Sequence, residues 1–173
     1  MSPVGVNLSF DVSVEDDGWA EMASIMTELS ARVASALPDE CLPEVCLPEG
    51  GLPDEGLTAG AQEISLVLTN DASIRRLNRD YRGKDKPTNV LSFPTIEAPG
   101  LLGDIVLARE TILREAEDKG VSFKHHFTHL IIHGLLHLLG HDHQTEAEAE
   151  KMEAIEIAAL AKLGIANPYV LKA

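Results

Sequence analysis

The residues best placed to do chemistry lie in one run, His133-Gly134-Leu135-Leu136-His137-Leu138-Leu139-Gly140-His141-Asp142-His143. Histidines four apart on a helix project from the same face, one turn above the other. Gly140 offers a residue that takes positive φ and stops a helix. The chain can turn there and bring His143 back to His133 and His137. Three imidazoles converging with a fourth position open form the ligand set of a catalytic zinc, one ion per chain. The spacing is that of the long zinc-peptidase signature, H-E-x-x-H-x-x-G-x-x-H, with one difference. The glutamate that serves as general base there is replaced by Gly134, which has no side chain to accept a proton. A zinc hydrolase of another substrate class is therefore expected. All seven histidines fall between 125 and 143. His125, His126 and His129 precede the motif and are expected to support the ligands or face solvent rather than bind metal.

Arginine is the natural partner of a phosphodiester, because its planar, always charged fork matches phosphate oxygens. Six of the 14 basic residues lie between 75 and 86: Arg75, Arg76, Arg79, Arg82, Lys84 and Lys86. The net charge is −14, yet residues 1–63 hold 13 acidic side chains against Arg32 alone, while residues 64–173 hold 15 acidic and 13 basic ones. A local positive patch on an acidic protein still guides a phosphate-bearing ligand.

Composition bounds the rest. A chain of 173 residues with 45% hydrophobic and 24% charged content is expected to be one soluble globular domain with a proper core. Met1 to Gly5 carry no basic leader followed by an apolar stretch, and no apolar run approaches the ~20 residues that cross a bilayer. A cytoplasmic protein without membrane contact is expected. Cys41 and Cys46, in an acidic, proline-rich stretch, read as two incidental thiols.

The elements that must position the site follow from periodicity. Val6, Leu8, Phe10, Val12 and Val14 alternate as in a half-buried strand; Trp19, Met22, Ile25, Met26, Leu29 and Val33 recur at helical spacing. Residues 38–60 break the pattern with Pro38, Pro43, Pro48 and Pro53 among acids, which predicts an exposed loop or insertion. Ile64, Leu66 and Leu68 mark a second strand. Asp71 is a candidate cap for a helix with Ile74, Leu77 and Tyr81 inside. Strands are expected at Asn89 to Phe93 and Leu102 to Ala108, and helices at about 109–119, 122–140 and from the capping box Thr145-Glu146-Ala147-Glu148 to about Leu163. The expected fold is α+β, a single domain with a four-stranded mixed sheet and about five helices.

Three blocks then add up to a resemblance. They are Leu77 through Pro94, containing Arg82-Gly83-Lys84-Asp85-Lys86-Pro87-Thr88-Asn89-Val90-Leu91-Ser92-Phe93; Leu102-Gly103-Asp104-Ile105; and His133-Gly134 through Leu138 with Gly140-His141-Asp142-His143. With the spacing between them they cover nearly all of residues 64–163, and the chain resembles the YbeY endoribonucleases. Two departures are His141, where the family usually has an aromatic residue, and the long 38–60 segment. The resemblance implies zinc on His133, His137 and His143, a functionally important arginine at Arg82, and cleavage of single-stranded RNA. It also implies maturation of the 16S rRNA 3′ end and ribosome quality control, with the small subunit as partner and no role on DNA. Asp142 either orients a ligand imidazole or caps a turn. Asp104 either does the same or pairs with Arg82. The nucleophile stays open between water and the RNA 2′-hydroxyl. Two other classes remain: a metallopeptidase that borrows a base such as Glu146 or Glu148, and a non-enzymatic ribosome-associated protein with structural zinc.

Overall fold

The structure is a computed structural model that describes residues 7–37, 61–95, 101–141 and 143–169. Four strands form one sheet: β1 (Asn7–Val14), β2 (Ala61–Thr69), β3 (Val90–Pro94) and β4 (Leu101–Ala108). Their spatial order is β1-β2-β4-β3. The first three run parallel and β3 pairs antiparallel to β4 at the edge. The sheet is therefore mixed, as its alternating elements predict. The helices are α1 (Ala20–Ala36), α2 (Asp71–Arg82), α3 (Arg109–Lys119), α4 (Phe123–Leu138) and α5 (Glu146–Lys162), with a 3-10 turn at Asp17–Trp19 ahead of α1.

Period-2 alternation divides the sheet into two faces. Ile64, Leu66, Leu68, Ile105 and Leu107 join the main core with residues of α1, α4 and α5. Val106 and Ala108 face the other way, where they meet Ile74 of α2 and Leu91 of β3. Trp19 ties the layers together: its indole donates to the Thr69 carbonyl at 2.8 Å, and its ring meets Phe123 and Phe127 of α4.

Helix α4 is the central element. Ser122 caps it, its hydroxyl accepting from the His125 backbone N–H at 3.1 Å. Phe127, Ile131, Ile132, Leu135 and Leu136 are fully buried along it. Each such side chain contributes about 1.5–3 kcal/mol when removed from water. His133 and His137 thus stand on a helix whose rotation and depth are fixed by the core.

Two local expectations are corrected. Asn70, not Asp71, caps α2, accepting from the Ser73 N–H at 2.9 Å. Asp71 begins the helix and binds the Thr111 hydroxyl and Arg114, joining α2 to α3. Tyr81 is 69% exposed rather than internal, lying edge-on to Phe93, and Asn78 takes the inner position. The Thr145 hydroxyl does cap α5, accepting from the Glu148 N–H at 3.2 Å. Val6, Cys41, Cys46 and the 38–60 insertion lie outside the described residues.

Candidate metal centre

The i, i+4 spacing sets the first two candidate ligands. His133 and His137 stand one turn apart on α4 with ring centroids 4.7 Å from each other. The helix then ends. Gly140 takes φ +96, the His141 N–H returns to the Leu136 carbonyl at 2.9 Å, and the chain reverses. That reversal brings the His143 ring to 5.8 Å from His133 and 5.1 Å from His137. One nitrogen from each of the three rings lies within 4.8 Å of the others. The Nε2 atoms of His133 and His137 are 3.1 Å apart. Bonds of ~2.0–2.1 Å to a tetrahedral ion place ligand nitrogens roughly 3.3 Å apart, so the donor set fits a small divalent metal.

The protonation pattern fits as well. Nδ1 of His133 lies 2.6 Å from Oε1 of Glu156. A carboxylate only accepts, so a neutral His133 carries its proton on Nδ1 and turns the Nε2 lone pair toward the other two rings. Glu156, on α5, is completely buried. Its other oxygen faces His129 Nε2 at 3.0 Å and accepts the Tyr169 hydroxyl. Burial pushes this carboxyl up, but hydrogen bonds from His129, His133 and Tyr169 outweigh it and hold the pKa at about 2. Burial and the same carboxylate push the Tyr169 phenol well above its usual range. Glu156 escaped the sequence reading. The available signal was a charged residue four positions from both Met152 and Leu160, on the buried side of the helix.

Arg82 lines the same cavity as the three histidines. It ends α2, donates from Nη2 to the Ser92 carbonyl at 2.9 Å, and sits 5.6 Å from the Phe93 ring centroid. Arg82, His133, His137, His141 and His143 line one cavity of about 530 Å³. The rest of the basic run is placed differently. Arg75 pairs with Asp85 and Arg79 with Asp80 on the exposed surface, where such pairs contribute about 0–1 kcal/mol.

The remaining candidates divide. His125 is exposed, His126 is buried against Glu115 at 2.7 Å, and His129 is buried against Glu156. Among the described residues none of the three is part of the His133, His137 and His143 cluster. Burial lowers the pKa of His126 against the opposing pull of Glu115, and burial also lowers that of His141. Asp104 sits on β4 opposite Phe93, and among the described residues no hydrogen bond or ion pair joins it to Arg82. Asp142 lies outside the described residues. Glu146 and Glu148 are exposed in the first turn of α5.

Gly134 is a packing residue. A Cβ there would lie 3.0 Å from both Ile105 Cγ2 and Ser92 Oγ. The direction in which a peptidase glutamate would leave the helix runs into β3 and β4.

Fold and site together define a class: an α+β protein with three convergent histidines at the end of a buried helix and an arginine lining the same cavity, the arrangement of a metal-dependent hydrolase. Comparison with known proteins narrows this. A sequence profile described as "Endoribonuclease YbeY" matches residues 50–164, more than half of the chain. The chain belongs to the endoribonuclease YbeY family. A relative of that name from Sphingopyxis alaskensis is 56% identical, the match covering 62% of this chain and 71% of the relative. Another from Rhodopseudomonas palustris is 55% identical, covering 64% and 62% respectively. A third from Erythrobacter litoralis is 57% identical, covering 62% and 74%. In fold, the chain is similar to TM1509 from Thermotoga maritima, with a TM-score of 0.55 at 20% identity, covering 90% of this chain and 92% of that one. Among the described residues no helix is long and apolar enough to cross a membrane.

Proposed function

We propose that this chain is a zinc-dependent endoribonuclease that hydrolyses phosphodiesters of single-stranded RNA in the cavity between His133, His137, His143 and Arg82. Its family is one of endoribonucleases, so RNA is the substrate class and hydrolysis the reaction. The observation that carries the reading is the sharing of one cavity by three convergent imidazoles and a guanidinium. Three neutral nitrogen donors favour zinc, which supplies a Lewis acid for a phosphoryl oxygen and lowers the pKa of water toward ~7.

The side chains contribute the rest. His133 keeps its Nε2 lone pair available because Nδ1–H is given to Glu156. Arg82 is held by the Ser92 carbonyl and the Phe93 ring. Its guanidinium has five N–H donors, and among the described residues it hydrogen-bonds to that carbonyl alone. The other donors are available to a phosphate, where they would stabilise charge gathering on phosphorus in the transition state. A cavity of about 530 Å³ with an exposed rim admits a strand whose bases are splayed more readily than a rigid duplex.

Within the cell, the family points to ribosomal RNA, and the 16S 3′ end on the small subunit, in the cytoplasm, is the proposed site of action. The test is RNA cleavage by zinc-loaded protein. Labelled single-stranded RNA, double-stranded RNA and casein are each incubated with and without chelator. Single-stranded RNA alone should be cut, and chelator should abolish cutting. Casein cleavage, or RNA cleavage indifferent to chelator, would overturn the proposal.

A further inference from the structure

Glu156 occupies a position that helical periodicity reserves for the core. Met152 and Leu160, four residues to either side, are both buried. A carboxylate there is costly unless its lone pairs are used, and an apolar residue of similar size would pack α5 at least as well. The structure uses them. Oε1 receives His133 Nδ1, while Oε2 receives His129 Nε2 and the Tyr169 hydroxyl. His129 makes a concession for this, because its Nδ1 is buried without a partner. Tyr169 comes from the segment after α5, where its own N–H donates to Asn167 Oδ1 at 2.9 Å. Its ring stands edge-on to His129 at 5.5 Å.

We infer that Glu156 is the positioning residue of the metal centre, fixing the ring and tautomer of His133, and that Tyr169 and His129 hold it in register. The segment that follows α5 is thereby a working part of the centre. The inference rests on the reading of the triad as a metal site. Its physical basis is the tautomer. Without a buried acceptor at Nδ1, a neutral imidazole divides its proton between the two nitrogens, and the form protonated on Nε2 cannot bind metal there. The ring also becomes free to turn about χ2. Losing a partner of this kind weakens metal affinity by roughly 10–100-fold in comparable sites.

The test uses the full chain as wild type, Glu156→Gln and Tyr169→Phe. Zinc affinity is read by competition with a chromophoric chelator. The His133 tautomer is read from imidazole ¹⁵N shifts of the zinc-free protein, and folding from its thermal melt. Glu156→Gln should bind zinc about 10–100-fold more weakly and lose the uniform Nδ1–H form of His133. Tyr169 is 42% exposed, so Tyr169→Phe should melt close to wild type while shifting affinity in the same direction by a smaller factor. A purely structural Glu156 would change melting and leave zinc affinity and tautomer alone, and that result would overturn the inference. If Glu156→Gln does not fold, Tyr169→Phe decides: wild-type affinity in that variant refutes the proposed role. A wild-type chain that takes up no zinc removes the metal reading and this inference with it. Wild-type uptake with unchanged variants removes the inference alone.

Discussion

Replacing Gly134 by alanine sets two effects of known size against each other. Alanine in a helix interior gains about 1 kcal/mol over glycine. At this position, however, the new methyl would lie 3.0 Å from Ile105 Cγ2, 3.0 Å from Ser92 Oγ and 3.4 Å from Ile105 Cδ1. Ile105 is fully buried on β4 and cannot move without disturbing the main core. Ser92 Oγ can rotate away, but it then gives up its hydrogen bond to the Gly134 carbonyl. Overpacking of this kind costs about 1–3 kcal/mol, so the clash should win and Gly134→Ala should be less stable by up to roughly 2 kcal/mol. There is a second consequence. The Ser92 carbonyl holds Arg82, so displacement of β3 should lower RNA cleavage while zinc stays bound. Urea unfolding gives the stability change, and single-turnover cleavage with zinc analysis gives the rest. A variant more stable than wild type by the full helix gain would show that the contact between α4 and the sheet is looser than described, and the reasoning would fail. Gly134→Glu should be worse still, and should not create casein cleavage.

Other outcomes follow from the same geometry. His137→Ala should lose most bound zinc by elemental analysis, whereas full stoichiometric metal would remove His137 from the centre. Arg82→Ala should keep zinc and fold but lose about 3–4 kcal/mol of transition-state stabilisation, roughly two to three orders of magnitude in cleavage rate. Arg75→Ala, at a residue already paired with Asp85, should cost far less, with an effect that fades as salt rises; equal losses in the two variants would reduce Arg82 to a steering charge. Burial holds the His126 pKa below 6.5, so the unfolded chain takes up that proton more readily. The contribution of His126 is present above its unfolded pKa and lost as pH falls below it toward the folded value. His126→Gln should therefore flatten the stability of the zinc-free protein as pH falls below about 6.5, measured by urea unfolding.

Element order and the convergence of the three histidines were legible because each rests on local spacing. Alternation gives β1, β2 and β4, and the i, i+4 pair with a glycine turn gives the convergence of His133, His137 and His143. What escaped depends on contacts distant in sequence. Spatial order β1-β2-β4-β3 is set by how α2 and β3 return, which no local pattern states. Asp71 has the chemistry of a cap, but Thr111 and Arg114 of α3 claim it and leave the cap to Asn70. Tyr81 falls at helical spacing after Ile74 and Leu77, yet the short β3 leaves that end of α2 uncovered beyond Phe93. Glu156 reads as one more acid in an acidic helix until α5 is laid against α4.

The two alternative classes differ from an endoribonuclease in what the surroundings of the triad must provide. A peptidase needs a carboxylate beside the fourth metal position. Gly134 leaves the helix toward Ile105 and Ser92, so no side chain at that position reaches the cavity without displacing β3 or β4. Glu156 is the carboxylate nearest the ligands in the described contacts, but it lies behind His133 on Nδ1, where it can orient the ring and cannot reach water on the far side of Nε2. A structural zinc site needs closure by a fourth ligand. Among the described residues the ligand cluster has three members, and its open side faces a cavity of about 530 Å³ bearing Arg82. A guanidinium beside an open divalent site repels the metal and is costly unless an anion lies between them. On the proposed reading, a phosphodiester between Arg82 and the triad would remove that cost, and this complementarity would distinguish an RNA-cleaving centre from a merely metal-binding one.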